Sequence, residues 1–405
     1  YLEKFFPTEF HSGKDQETLL YAKKQRDNWV FDVLLQAKVN SFYTRTESLP
    51  EAGFYVLGQP IGELPVVWFS ENHAGIKRWR PDSSPPIGPA LDGSSSMGRF
   101  DTRQEVNMPV HLGPINFLPY AVGRFTHWTE SMTPNGEKNR PYGQVGVRAT
   151  TKIWKVYQNV KSRLWDLDGI RHILAPEAVA FLADAHGVDP SDLWPMDPGV
   201  EPNISNLSGF SVGLTQRLQT RRGRPGQRRI VDWMRFKVEA GAFSNRNNSI
   251  PADGRVFSHS PEYSIGRNFV NAEYEWNISD NTQFDASGNY DVATGKLGHL
   301  GMGLNVQRTP RFKYYLGLYT LPAVDSSVGT VGFTYQMTEK YSVSVLEQYD
   351  FDFEGGKGVR TSLRLTRKFP RWYAGLAFVF DQTRDDVGLY LTLWPEGVPE
   401  FRMGT

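Results

Sequence analysis

The densest charge in this 405-residue sequence is the turn TRRGRPGQRR, which holds Arg221, Arg222, Arg224, Arg228 and Arg229. Such a cluster can bind anionic lipid headgroups or an acidic partner. It can equally be a solvated turn, the usual fate of a surface charge run. Nucleic acid does not fit: no aromatic platform accompanies the arginines, and 45 Lys+Arg face 44 Asp+Glu. Asp350, Asp352 and Glu354 follow one strand end, where they could hold calcium weakly or sit in water at a rim. The eight histidines show no HxxxH or HxH spacing, so no local histidine metal cluster is expected. There is no cysteine, which removes disulfides and thiolate metal sites. No G-x-S-x-G and no phosphate-cradling P-loop occurs. The glycines of FEGGKG suit a hairpin turn needing positive φ. No catalytic residue and no cofactor are expected, so the chain is not read as an enzyme.

What remains is the scaffold, and its clearest stretch is Val328–Trp394. There Val331, Phe333 and Tyr335 alternate with Gly332, Thr334 and Gln336. Tyr341, Val343, Val345, Tyr349 and Phe351 oppose Ser342, Ser344, Gln348 and Asp350, with Leu346 and Glu347 out of step. Val359, Leu363, Leu365 and Phe369 oppose Arg360, Ser362, Arg364, Thr366 and Lys368. A period of two sends alternate side chains to opposite faces of a strand. Trp29–Tyr43 alternates in the same way, after a polar run over Gly13–Asn28. Gln144–Trp165 reads as one long strand, and Arg171–Leu182 as the strand that returns from it.

Composition suits such strands. Only 39% of residues are hydrophobic while 13% are aromatic, and glycines number 38; mean hydropathy is −0.46. This is the balance of a barrel with one thin apolar face and aromatic girdles, and also of a large soluble β protein. No apolar run reaches the length of a spanning helix. YLEKFFPTEF lacks the basic start and apolar core of a signal peptide, and its abrupt start leads us to expect an upstream part.

Loop length separates the two β readings. If Val387–Trp394 descends, alternate connections collect on one side: FPR, MTEK, RTPR, ISDN, the arginine turn, DLDG, LGPIN and the Pro60 turn. Most of these are short. The opposite side takes four long Pro-, Gly- and Ser-rich loops with DVATGK, LPAVDSS, FEGGKG and DQTRDD. Outer-membrane barrels segregate short periplasmic turns from long extracellular loops in this way. We therefore expect an all-β, antiparallel transmembrane β-barrel region over residues 1–405. About 18–19 strands are present, with the cell outer membrane as their setting. The apolar face meets membrane lipids, because a closed barrel leaves no backbone polar group unpaired in hydrocarbon. Arg360, Arg364, Lys368, Glu273 and Glu275 then line a wet lumen, and Trp29, Trp79, Trp128, Trp165, Trp233, Trp276, Trp372 and Trp394 suit interfacial belts.

Several stretches resemble the lipopolysaccharide-assembly (LptD) family of the outer membrane. They are GKDQETLLYAKKQRDNWVFDVLLQAKVNSFYTRTESLPE, RFDTRQEVNMPVHLGPINFLPYAVGRFTHW, LDGIRHILAPEAVAF and SLRLTRKFPRWYAGLAFVFDQTRDDVGLYLTLW. Their order along nearly the whole chain carries the likeness. Asp386–Leu393 also resembles the closing pattern read by barrel-insertion machinery. The resemblance implies a protein that takes lipopolysaccharide from a periplasmic bridge protein through a jelly-roll domain. It implies a barrel plugged by a lipoprotein (LptE-like) that releases lipopolysaccharide sideways, with no bond made or broken. Val387, Leu389, Leu391 and Leu393 would lie on the last strand, one lip of the lateral gate. The jelly roll, the first barrel strands and the family's cross-linking cysteines are missing from this sequence. A passive porin or receptor barrel, and a soluble or surface β-rich enzyme, stay open beside this reading.

Overall fold

The computed structural model describes residues 17–397 except 42, 83–94, 135, 198, 202–205, 225, 245–254, 258, 353–355 and 384. Its strands are β1 (Thr18–Arg26), β2 (Trp29–Ala37), β3 (Arg45–Pro60), β4 (Val67–Arg80), β5 (Ser95–Asn107), β6 (Val110–Leu112) and β7 (Ile115–Trp128). There follow β8 (Lys138–Thr151), β9 (Ile153–Ser162), β10 (Leu167–Ala185), β11 (Gly209–Arg222), β12 (Arg229–Phe243), β13 (Phe269–Ser279) and β14 (Thr282–Asp291). The last are β15 (Lys296–Thr309), β16 (Phe312–Leu321), β17 (Ser326–Gln336), β18 (Tyr341–Asp350), β19 (Lys357–Phe369), β20 (Trp372–Asp381) and β21 (Asp386–Pro395).

All strands belong to one antiparallel sheet in which each pairs with its sequence neighbour. Two of them are continuations. β6 stays beside β7 where β5 leaves off, across Met108 and Pro109; a proline has no N–H for the ladder. β9 likewise continues β8 along β10, after a break at Lys152. Nineteen ranks therefore stand side by side. The long strand expected over Gln144–Trp165 is this broken pair, and the polar run before Trp29 contains β1, which turns into β2 at Asp27 with φ 50°.

The connections alternate in length as the sequence pattern predicts. One end of the sheet carries the tight turns at 27–28, 113–114, 280–281, 310–311 and 370–371. The other carries the long connections 186–208 and 244–268.

Face polarity is inverted relative to a soluble protein. On β5, Arg99, Asp101, Arg103, Glu105 and Asn107 are all buried, while Phe100 and Val106 between them are exposed. On β21, Leu389 is 69% exposed and Thr392 only 6%. A row of large apolar side chains facing out and charged ones facing in is stable only where hydrocarbon replaces water outside. This is the polarity of an outer-membrane barrel wall. β1 and β21 each have a partner on one side only among the described residues, so the sheet is open between them.

Among the described residues, buried apolar side chains gather in two clusters that include residues of the long loops. Tyr120, Val122, Tyr142 and Phe181 pack with Leu207, Phe243 and Phe269. Met97 and Trp128 pack with Leu193, Met196 and Val200. These clusters seat the loops that build the site.

Candidate functional site: the polar inner face

Three adjacent ranks project charge inward: Arg99, Asp101, Arg103 and Glu105 at every second residue of β5, Arg124 on β7, and Arg140 and Arg148 on β8. Arg124 forms a two-pronged pair with Asp101, both prongs at 2.9 Å, and Thr126 donates to the same carboxylate at 2.6 Å. Arg148 reaches Glu105 at 3.4 Å and stacks over Tyr120 at 4.0 Å. On the neighbouring β3 and β4, Lys77 pairs with Glu51, which also faces Arg99 at 3.3 Å. The planar fork of arginine suits such paired contacts.

The long loops complete this lattice. From the connection 186–208, Glu201 accepts from Arg99 at 3.0 Å and from the Trp128 indole at 3.0 Å, and Asp197 accepts from Arg99 at 3.0 Å. From the connection 244–268, Glu262 pairs with Arg103, the Tyr263 hydroxyl accepts from Arg124 at 3.0 Å, and the His259 carbonyl accepts from Arg148 at 3.1 Å. Burial works to raise the Asp197 carboxyl, but the Arg99 guanidinium and the Gly199 N–H hold it below the usual carboxylate range. The inner face of β5–β8 is thus covered by protein.

The wall β13–β21 is different in chemistry, and Arg255, Val256 and Phe257 of the 244–268 connection share a cavity with it, at β13–β16. A cavity of about 610 Å³ is lined by amides and hydroxyls such as Gln283, Asn305, Thr334, Ser344 and Ser362, together with Asp280, Lys313 and Arg364. Neutral hydrogen-bonding groups of this kind hold water and polyhydroxylated solutes without trapping them.

The residues expected to line the lumen separate here. Arg364 lines the large cavity, and Arg360 shares its face four residues closer to the long-loop end, opposite Asp381. Glu273 faces Lys237 and Arg235 across a smaller cavity. Glu275 accepts from Gln283 at 3.2 Å. Lys368 sits at the short-turn rim, paired with Glu396 at 2.5 Å and 5.5 Å from the Tyr373 ring. Val387, Leu389, Leu391 and Leu393 all point outward, 44–69% exposed, along the open edge strand.

The arginine turn is more structured than either sequence reading. Arg222 is 2% exposed and donates to the carbonyls of Asn277 at 2.7 Å and Ile278 at 3.1 Å. Arg221 and Arg228 both meet Asp168, and Arg229 meets Asp280 at 2.9 Å. Four of the five arginines therefore tie three neighbouring turns together, and Arg224 is exposed.

Asp350 is a cap: it accepts from Ser326 at 2.7 Å and from the Ser327 and Asp352 N–H groups at 3.1 Å. Glu354 lies outside the described residues. Among the described residues, no three His, Asp or Glu side chains gather as they would around a metal ion.

Sequence reasoning missed the β5–β8 lattice, although one signal was there: RFDTRQE puts Arg99, Asp101, Arg103 and Glu105 on one face. Nothing local marked Asp197, Glu201 or Glu262 as their partners.

No protein-family model matches the chain, and no curated protein matches it. Among solved structures it is similar to the siderophore receptor PiuA from Acinetobacter baumannii, at 10% identity over 94% of this chain and 73% of that one, with a TM-score of 0.34. It is similar to the copper transporter OprC at 12% identity, over 96% and 72%, with a TM-score of 0.32. It is similar to a mutant Rh. blastica porin at 9% identity, over 78% and 100%, with a TM-score of 0.24. Overlaps this loose say nothing about the ligand of this chain.

Proposed function

We propose that this chain forms most of the wall of an outer-membrane β-barrel that passes or receives a polar solute along its inner face. One observation carries the reading: charged side chains are buried on the side of β5 that faces in, and Phe100 and Val106 are exposed on the other. The amide- and hydroxyl-bearing wall of β13–β21 is the surface such a solute would follow. The test is planar-bilayer recording on the purified full-length protein. Single-channel or solute-gated conductance supports the reading. Clean extraction without detergent would overturn it in favour of a soluble or surface protein.

A narrower reading is lipopolysaccharide export, with lipopolysaccharide as solute and a lipoprotein plug and periplasmic bridge as partners. It rests on the ordered stretches that resemble the LptD family and on the open sheet edge. β1 and β21 run in the same direction, both toward the short turns. An all-antiparallel barrel therefore needs an odd number of further strands between them. A seam at β21 that opens to lipid would let acyl tails leave while the sugar head stays in the wet lumen. In the intact protein, tying β21 covalently to its neighbour across that seam is expected to stop export. Unimpaired export after complete cross-linking would count against a gate at β21. Steady ion conductance with no lipopolysaccharide cross-links would leave the porin or receptor reading standing.

A further inference from the structure

Glu201 is 1% exposed, and three donors hold its carboxylate. Arg99 Nη1 and Trp128 Nε1 each donate to Oε1 at 3.0 Å, and the Asp197 N–H donates to Oε2 at 2.7 Å. Asp197 takes the other Arg99 nitrogen, Nη2, at 3.0 Å. Beside them, Arg140 is 1% exposed and stacks on Trp128 at 4.8 Å. Among the described residues, Arg140 donates only to backbone carbonyls, Val200 at 2.7 Å and Glu201 at 3.3 Å, and its Nε meets no acceptor. Glu201 and Asp101 act on this guanidinium only from a distance, and a buried charge without a directly bonded counter-ion stays incompletely compensated.

The donors and the acceptors have different origins. Arg99, Trp128 and Arg140 stand on β5, β7 and β8, whose backbones the ladder fixes. Asp197 and Glu201 come from a loop. The socket is rigid and its occupant is tethered. The second long loop repeats the scheme, with Glu262 on Arg103.

We propose that Arg99, Arg140 and Trp128 form an oxyanion site for a phosphate monoester in the lumen, which Asp197 and Glu201 occupy as internal stand-ins until such a ligand displaces them. Charge balance selects the ligand class. With the loop withdrawn, Arg99, Arg140 and Lys77 face Glu51 alone, because Arg124 keeps Asp101. Three cations and one anion leave a charge of +2. A phosphate monoester carries close to two negative charges at neutral pH and three strong acceptor oxygens. Those oxygens can take the Arg99 fork, the indole N–H and the idle Arg140 Nε, which two separate carboxylates do not satisfy together.

The site is independent of which solute the barrel carries, and its test uses neither lipopolysaccharide nor transport. Inorganic phosphate is titrated calorimetrically into the full chain in detergent at pH 7.5. D197N/E201Q is expected to bind at least tenfold more tightly than the unaltered chain, and adding R99K, which keeps the charge and loses the fork, is expected to remove most of that gain. A second measurement keeps the loop native. Lys138 and Asp192 lie 3.2 Å apart across the loop and the wall. Because the chain has no cysteine, K138C/D192C can be joined by a cleavable bis-maleimide. Joining is expected to weaken phosphate binding at least tenfold and cleavage to restore it. Equal binding by D197N/E201Q and the unaltered chain, or binding indifferent to the cross-link, would overturn the proposal. Either failure leaves the export reading where it stood.

Discussion

The Trp128 indole donates a 3.0 Å hydrogen bond to Glu201, a residue 73 positions away and 1% exposed. This contact joins a membrane strand to a loop that would otherwise stand free at the barrel mouth. Trp128→Phe keeps an aromatic face and deletes the N–H, along with the five-membered ring that carries it. Bonds to charged groups are worth ~1.5–3 kcal/mol, so the loop should loosen by about that amount. Proteolysis within 186–208 is expected to quicken about tenfold or more, with the barrel's heat resistance on gels unchanged. Loss of barrel resistance together with the loop would mean that Trp128 holds the wall and not the loop.

Acid should release the same loop, and the direction follows from Asp197. Its carboxyl is held below the ordinary range, by Arg99 and the Gly199 N–H working against burial. A depressed carboxyl stabilises fully above its unfolded value of ~3.9 and loses that stabilisation as pH falls through the lower folded value. Hydrogen exchange across 186–208, corrected for its intrinsic pH dependence, is expected to be flat from pH 7 to 5 and to rise only in stronger acid. D197N should abolish the step. A step centred near pH 6 would point to a different group.

Within the arginine turn, position decides cost. Arg222 caps carbonyls of another hairpin from a buried site, and Arg224 is exposed. Arg222→Ala leaves those carbonyls without a donor and should cost ~3 kcal/mol. Arg224→Ala should cost less than ~0.5 kcal/mol. Denaturant titration of the two variants in lipid vesicles measures both. Equal losses would reduce the turn to an undifferentiated basic patch.

The two faces of one hairpin offer a test of orientation. Leu376 points outward and is 45% exposed, and Thr366 points inward on the neighbouring strand. Leu376→Lys should destabilise by ~2–4 kcal/mol if it lies near the bilayer midplane, while Thr366→Lys should be tolerated. The same titration reads the difference, and a reversed order would turn the sheet inside out.

Arg364 and Lys368 should separate in function although they share a face. Arg364 borders the large cavity and Lys368 is spent on Glu396 at the rim. Arg364→Glu is expected to change the ion selectivity of the conducting protein severalfold, and Lys368→Gln to leave it within error. Reversal-potential measurements in a salt gradient decide this.

Most strands, their two faces and the segregation of short and long connections were legible in the sequence, because each is written at a spacing of two residues or in the composition of a turn; β1 was not, because its run carries polar residues on both faces. Arg364 could be put on the polar face for the same reason: Arg360, Ser362 and Thr366 share its parity. Two breaks were not legible, one at Met108 and Pro109 between β5 and β6 and one at Lys152. Lys152 interrupts a stretch whose alternation continues on either side, and only pairing with β10 reveals β8 and β9 as separate strands. The ionic covering of β5–β8 lay further out of reach. Arg99 meets Glu201 across 102 residues and Arg103 meets Glu262 across 159. An alternating pattern records which side of a strand a residue occupies and carries no information about what will lie over that side. That choice depends on which loop is long enough to fold back and which carboxylate it then sets against a buried guanidinium. It exists only once the sheet has curved and brought the loop over its wall.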